Sequence, residues 1–223
     1  MTERGGAKAP PNRVRNALVM LQPEQLQDMA LTARALGALL YWPPDSEQAA
    51  PLVTLLRQPQ ETLRWPYGSS AQREHCAALL CAPAQESLAS AHQRLFIGPH
   101  ALAAPPWGSV YLDRESVLFG ESTLALRRWM DAQGISWQSD AREPEDHIGI
   151  LLLMAAWLAE GQPQLLPALL QLHLLPWGER YLTLLQQGAD HPFYQGLASL
   201  AALTLQAWQR QLAIADSDVR LYR

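Results

Sequence analysis

Glu143-Pro144-Glu145-Asp146-His147-Ile148-Gly149 opens the longest apolar segment of the chain, which continues as Ile150-Leu151-Leu152-Leu153-Met154-Ala155-Ala156-Trp157-Leu158-Ala159. Carboxylates suit a helix N-terminus, where unpaired N–H groups and the backbone dipole favour negative charge. Proline suits the first helical position, which needs no donor. The stretch therefore predicts a well-capped, buried helix over about 144–160. Two residues do not follow from that reading. Nothing in a capped helix calls for His147. Gly149, one turn in, costs about 1 kcal/mol against alanine, so something is expected to pack close to the helix backbone there.

The composition agrees with a helical fold. At 223 residues the chain has room for one sizeable core, and nothing in it demands a second domain. Leucine and alanine greatly outnumber valine and isoleucine, which favours helix over sheet. A net charge of -4 and a pI near 5.8 leave no nucleic-acid footprint; the mild acidity favours a basic partner instead. Cys76 and Cys81 sit about 140 degrees apart around a helix axis. They neither pair nor make a zinc knuckle, and read as buried thiols of a reducing compartment. No apolar run reaches the roughly 18 to 20 residues of a bilayer span. Ala17-Leu18-Val19-Met20-Leu21 is too short for a signal-peptide core. The expectation is a cytoplasmic protein with no stable membrane insertion.

Residues 1–22 read as a disordered extension with Met20 an alternative start, 23–215 as the helical domain and 216–223 as a polar tail. From Pro23, the residues Leu26, Met29, Ala30, Ala33, Leu36, Gly37 and Leu40 share one helical face, and Pro43-Pro44 ends it. Asp45 can cap the next helix, where Pro51 marks a kink or a later start. Ser70 caps a helix through Cys81, Pro83 starts another through Ile97, and Ser122 or Thr123 caps one that Gly134 stops. Pro163 and Pro176 open helices to Leu174 and Gln187, and Asp190 caps the last. Trp129, Trp157 and Trp208 fit the core, and Arg127-Arg128 a solvated face or an internal ion pair. The fold class is all-α, a single-domain bundle of about nine helices with a long structured central loop.

That loop, 98–121, is too rich in proline and glycine at its start to be regular. Val110-Tyr111-Leu112 and Ser116-Val117-Leu118-Phe119 are short extended candidates within it. Loops of this length in a compact domain usually have a function. This one sets Trp107, Tyr111 and Phe119 beside Asp113, Glu115 and Glu121. It is either a lid with buried rings or one wall of a groove for a peptide whose arginines precede an apolar run. The alternative is a metal-dependent or hydrolytic enzyme using Glu143, Asp146 and His147, since Glu143 and His147 at i and i+4 would share a helix face. No third ligand is identifiable among His92, His100, His173 and His191. No nucleophile is signposted and no Gly-rich phosphate loop is present, so no metal or other cofactor is assigned.

Four blocks, taken together, resemble the TorD/DmsD family of cytoplasmic redox-enzyme maturation chaperones. They are Gln93-Arg94-Leu95-Phe96-Ile97-Gly98-Pro99, Ala104-Pro105-Pro106-Trp107-Gly108-Ser109-Val110-Tyr111-Leu112-Asp113, Phe119-Gly120-Glu121-Ser122-Thr123-Leu124 and the opening stretch Glu143 to Gly149. The likeness spans about Met20 to Arg223, and the last block followed by an apolar helix is the family's main signature. It implies an all-helical, non-enzymatic protein that binds the twin-arginine leader of a molybdopterin oxidoreductase catalytic subunit, dimethyl sulfoxide reductase first among clients. Such a protein holds the precursor back from export while its cofactor is inserted, with Tat translocase components as further partners. A different molybdoenzyme client is the second alternative. Position by position, the resemblance places Leu95, Phe96, Pro106, Trp107, Gly120, Ser122, Glu143, Pro144, Asp146 and His147 on the binding surface. Glu121, Glu143 and Asp146 are the expected acceptors for the arginines, and Leu95, Phe96, Pro106 and Trp107 the seat of the apolar stretch. The chain departs from close relatives at His92 and His100, where they tend to carry tryptophan. Members of the wider family exchange helices to form dimers.

Overall fold

Leucine- and alanine-rich periodic segments become helices throughout the computed structural model, which describes residues 21–137 and 143–223. The extension expected over 1–22 lies outside the described residues except for its last two. Helix α1, Pro23–Tyr41, starts at its proline and is closed by a capping box between Gln22 and Gln25. Helix α2, Ala50–Leu56, starts late because Pro51 belongs in a first turn. Helices α3, Pro59–Leu63, and α4, Ser70–Cys81, follow, the latter capped by Ser69. Helix α5, Leu88–His92, runs on into a π turn, Gln93–Ile97. After the central loop come α6, Ser109–Leu112, α7, Glu121–Gln133, and α8, Ile148–Gly161. The chain ends with α9, Leu166–Leu169, α10, Leu175–Gly188, and α11, Pro192–Gln211. No helix among the described residues is long and apolar enough to cross a membrane.

Several expectations are corrected. The helix placed at Pro83 begins at Leu88, where the Ser87 hydroxyl accepts the Ser90 N–H. The first extended candidate is the helical turn α6, and the second is a bent loop with Ser116 and Phe119 at φ 48 and 59. The two helices after α8 form one nearly continuous run, with a π turn over Leu170–Leu174 just ahead of Pro176, which cannot donate into the ladder. Cys76 is buried but Cys81 is exposed, and Trp157 is 46% exposed instead of core. The end of the stretch 216–223, read as a polar tail, is bonded to the central loop. Tyr222 N–H donates to Tyr111 O at 2.9 Å, and the Arg223 guanidinium to Leu102 O at 2.7 Å.

Helix α8 is the centre of the fold, with Ile148, Ile150, Leu151, Leu152, Met154 and Leu158 all buried. Helix α1 crosses it at a pair of glycines. A Cβ on Gly149 would lie 2.7 Å from Tyr41 Cβ and 3.0 Å from Gly37 O, and one on Gly37 would lie 2.9 Å from Gly149 O. The close approach expected at Gly149 is therefore a backbone-to-backbone crossing.

The start of α8 departs from the sequence reading in a way that matters. The helix begins at Ile148, and Glu143 to Asp146 form a turn in front of it, closed by His147 N–H to Pro144 O at 3.1 Å. His147 keeps extended backbone angles and is itself the cap: its Nδ1 accepts the Gly149 N–H at 3.0 Å. His191 does the same for α11, accepting from Phe193 N–H at 3.2 Å, where Asp190 was expected to cap. An imidazole that accepts through Nδ1 must be unprotonated there. Burial enforces this at His147, pushing its pKa down to about 3.

Gly149→Ala is expected to destabilise the fold by about 1 to 3 kcal/mol in urea denaturation despite alanine's better helix propensity, because the crossing has no room. Gly161→Ala, with nothing within 4 Å of its Cβ, is expected to be neutral or mildly stabilising. A second expectation concerns pH. Unfolded, His147 takes up a proton near pH 6.5; folded, it refuses one until about 3. Wild type should therefore lose stability relative to His147→Asn, which keeps a cap acceptor, as pH falls through that window.

Candidate functional site

The central loop meets the turn before α8 along its backbone. Ile148 N–H donates to Pro106 O at 2.8 Å and Gly108 N–H to Asp146 O at 3.1 Å, framing an antiparallel bridge between Trp107 and His147. Side chains close the same junction. Ser109 N–H donates to Asp146 Oδ2 at 2.6 Å, and the Trp107 indole N–H donates to Glu143. The His147 ring stands edge-on to Tyr41 at 5.2 Å and to Trp107 at 6.1 Å. Gly108 has no space for a side chain, since a Cβ would come 2.8 Å from Trp177 Nε1. Trp177 stacks on Tyr111 at 5.4 Å and donates its indole N–H to His173 O at 2.7 Å.

The acids of the opening stretch have three different fates. Glu145 pairs with Arg127 at 2.7 Å, and Arg127 also lies over the Phe119 ring. Glu143, half-buried, has its pKa raised by desolvation, against which the Trp107 N–H works. Asp146 is 4% exposed. Burial raises its pKa, and the Ser109 N–H together with the nearby Ser109 and Thr123 hydroxyls lower it. Those hydroxyls stand close enough to favour the charge, yet neither they nor Asp146 Oδ1 completes a hydrogen bond of ordinary geometry.

Pro106, Trp107, Glu143, Pro144, Asp146 and His147 thus come together at one junction. Gly120 and Ser122 stand beside it. Asp113 covers the start of α7, accepting the Ser122 hydroxyl at 2.9 Å and the Ser122 N–H at 3.2 Å, with its carboxylate where a Gly120 side chain would be. Glu121 projects into solvent, 3.8 Å from Arg128. Leu95 and Phe96 are core residues, 2% and 6% exposed. Their link to the junction runs through His92, which stacks on Phe96 at 4.9 Å and bears on the protonation of His147. Glu143 and His147 do not share a helix face, because the helix starts after both. Among the described residues no group of three or more His, Cys, Asp or Glu could hold a metal ion.

Sequence reasoning assigned no role to Gly108, Ser109 or Trp177, and set Asp113 on a groove wall, where the structure has it cover the start of α7. Gly108 was the legible one, since a loop glycine next to tryptophan signals a close backbone approach. Asp113 acts nine residues away from Ser122, a spacing that matches no local capping pattern.

The family model described as nitrate reductase delta subunit matches residues 66–183. The chain is 52% identical over 200 residues to the Tat proofreading chaperone DmsD of Salmonella typhi, covering 89% of this chain and 98% of that one. It is 41% identical over 199 residues to the probable Tat proofreading chaperone DmsD of Haemophilus influenzae, covering 89% and 98%. The chaperone protein YcdY of Escherichia coli is 28% identical over 191 residues, covering 84% and 97%. The chain therefore belongs to the nitrate reductase delta subunit family, together with the TorD and DmsD chaperones.

Proposed function

We propose that this chain is a cytoplasmic Tat proofreading chaperone. It binds the twin-arginine leader of a molybdopterin oxidoreductase catalytic subunit, dimethyl sulfoxide reductase first among candidates, and holds it while the enzyme folds and receives its cofactor. Transfer to the Tat translocase follows, and no step of this work requires the chaperone to catalyse a reaction. Similarity across nearly the whole length of the DmsD chaperone supports the reading. The observation that carries it is the bridge between Trp107 and His147, which sets a half-buried indole beside the acidic turn.

A leader offers two adjacent guanidinium groups and then an apolar, helix-forming stretch. Trp107 is the apolar anchor on that surface, with Pro106 buried behind it. Leu95 and Phe96 contribute from the core, where Phe96 packs against His92. Glu121 is an exposed acceptor whose pairing with Arg128, at 3.8 Å between two exposed side chains, is weak enough to exchange for a leader arginine. Exposed ion pairs are worth only about 0.2 to 1 kcal/mol, so the indole carries more of the affinity and the charges set register.

Trp107→Ala is expected to weaken leader binding by about 2 kcal/mol or more in titration calorimetry; unchanged affinity would remove the indole from the site. The client is identified by capture of precursor from anaerobically grown cells. Recovery of a dimethyl sulfoxide reductase precursor supports the assignment, and recovery of another molybdoenzyme precursor reassigns the client.

A further inference from the structure

The loop that carries Trp107 is fastened twice. The junction holds its middle, through Pro106 O and the Gly108 N–H. A second set of bonds comes from residues far along the chain and lands on either side of Trp107. The Tyr222 N–H donates to Tyr111 O at 2.9 Å. The Arg223 guanidinium donates to Leu102 O at 2.7 Å and to Ala103 O at 3.3 Å. Neither of those two carbonyls has a turn donor of its own. A turn would satisfy each from the residue three further on, and those residues are Pro105 and Pro106, which have no N–H. A guanidinium offers several donors in one plane, so one side chain serves both carbonyls.

Helix α10 braces both partners. Its Arg180 guanidinium donates to Arg223 O at 3.1 Å. Its Trp177 and Tyr181 rings lie 5.4 and 6.4 Å from the Tyr111 ring. Its Gly188 leaves room for Ala103, whose Cβ would stand 2.6 Å from a Cβ there. Beside Tyr222, Leu221 packs against the core. The bonds of Arg180 and Arg223 lie at exposed positions. Water competes for such bonds, so they contribute little to the stability of the whole molecule. A local tie of this kind decides instead which conformation an otherwise intact loop adopts.

We infer that residues 220–223 are a strap that sets Trp107 for the leader, with Arg223 a positioning residue that acts through the loop and not on the peptide. The inference rests on the proposed function, since leader binding is the property the strap tunes. With the strap in place, the junction holds the middle of the loop while Arg223 and Tyr222 hold its flanks. Without it the flanks are free to shift, and the indole between them takes up several positions. Affinity then falls with the fraction of molecules that keep the indole in the position the leader requires. Lysine in place of Arg223 retains most of the effect, because an ammonium also has donors enough for two carbonyls.

The test titrates a synthetic twin-arginine leader peptide from a dimethyl sulfoxide reductase catalytic subunit into full-length wild type, Arg223→Ala, Arg223→Lys and Arg180→Ala. The two alanine variants should each bind about fivefold more weakly. Combining them should cost no more than either alone, since both release one strap. Arg223→Lys should bind within about twofold of wild type. Urea midpoints should agree across the set, while amide exchange over 102–112 quickens in the alanine variants only. Unchanged affinity in Arg223→Ala, or a loss that lysine does not restore, would overturn the strap. So would a fall in the urea midpoint large enough to account for the loss. Each of those results leaves leader binding standing. Failure of wild type to bind the peptide would count against the leader reading itself, and exchange over the loop would still report on the strap.

Discussion

The crossing of α1 and α8 at Gly37 and Gly149 is the constraint from which the site follows. Two backbones in contact there bring the end of α1 over the start of α8, so that Tyr41 meets the His147 ring. A Cβ at either glycine would come within 3.0 Å of the facing helix, so the two would have to move apart. Because cores are close-packed, such a displacement is transmitted to the next layer. The next layer is the junction of the central loop with the acidic turn, which has no regular structure to buffer it.

Each part of the junction depends on the part beneath. His147 must stay neutral to cap α8, and burial under Tyr41 and Trp107 keeps it so. Because His147 ends the preceding turn with an extended backbone, its neighbour Asp146 is turned toward Ser109 instead of into the helix. Asp146 then fastens the loop through backbone and carboxylate at once, and Trp107 is delivered to its place beside Glu143. These bonds hold the loop in one conformation, which on the proposed reading lowers the ordering cost of binding a peptide.

Much of this was legible in the residues, and what was not has physical causes. Periodicity locates the long helices because a buried face repeats, and Gly149 announces a close approach because glycine inside a helix otherwise only costs stability. The start of α8 was misread because Pro144 and the acids satisfy every local rule for a first turn. Glu143 and Asp146 serve instead a loop some forty residues earlier in the chain, and a tertiary contact of that kind has no local signature. The one-turn helix α6 is set by pairing of the loop around it, so short-range propensity pointed to strand. Trp157 shows the same limit from the other side: a helix apolar on every face does not reveal which tryptophan remains at the surface. The family blocks located the junction, yet Trp177 and Asp113, which shape its walls, lie outside or at the edge of them.

A chaperone of this kind must also let go, and on the proposed reading the make-up of the junction serves both demands. A groove that bound the whole leader through buried charge pairs would discriminate well and release slowly, since differences in affinity appear mostly in the dissociation rate. On the proposed reading, exposed Glu121 offers weak, exchangeable pairing, and the apolar contribution is the half-buried Trp107 indole. Asp146 is buried where it fastens the loop, so its desolvation is borne in folding and not in binding. A stable fold tolerates one such unfavourable group when the rest of the structure agrees with itself. The apolar centre of α8 meets that condition, with the helix buried along nearly its whole length immediately behind Asp146.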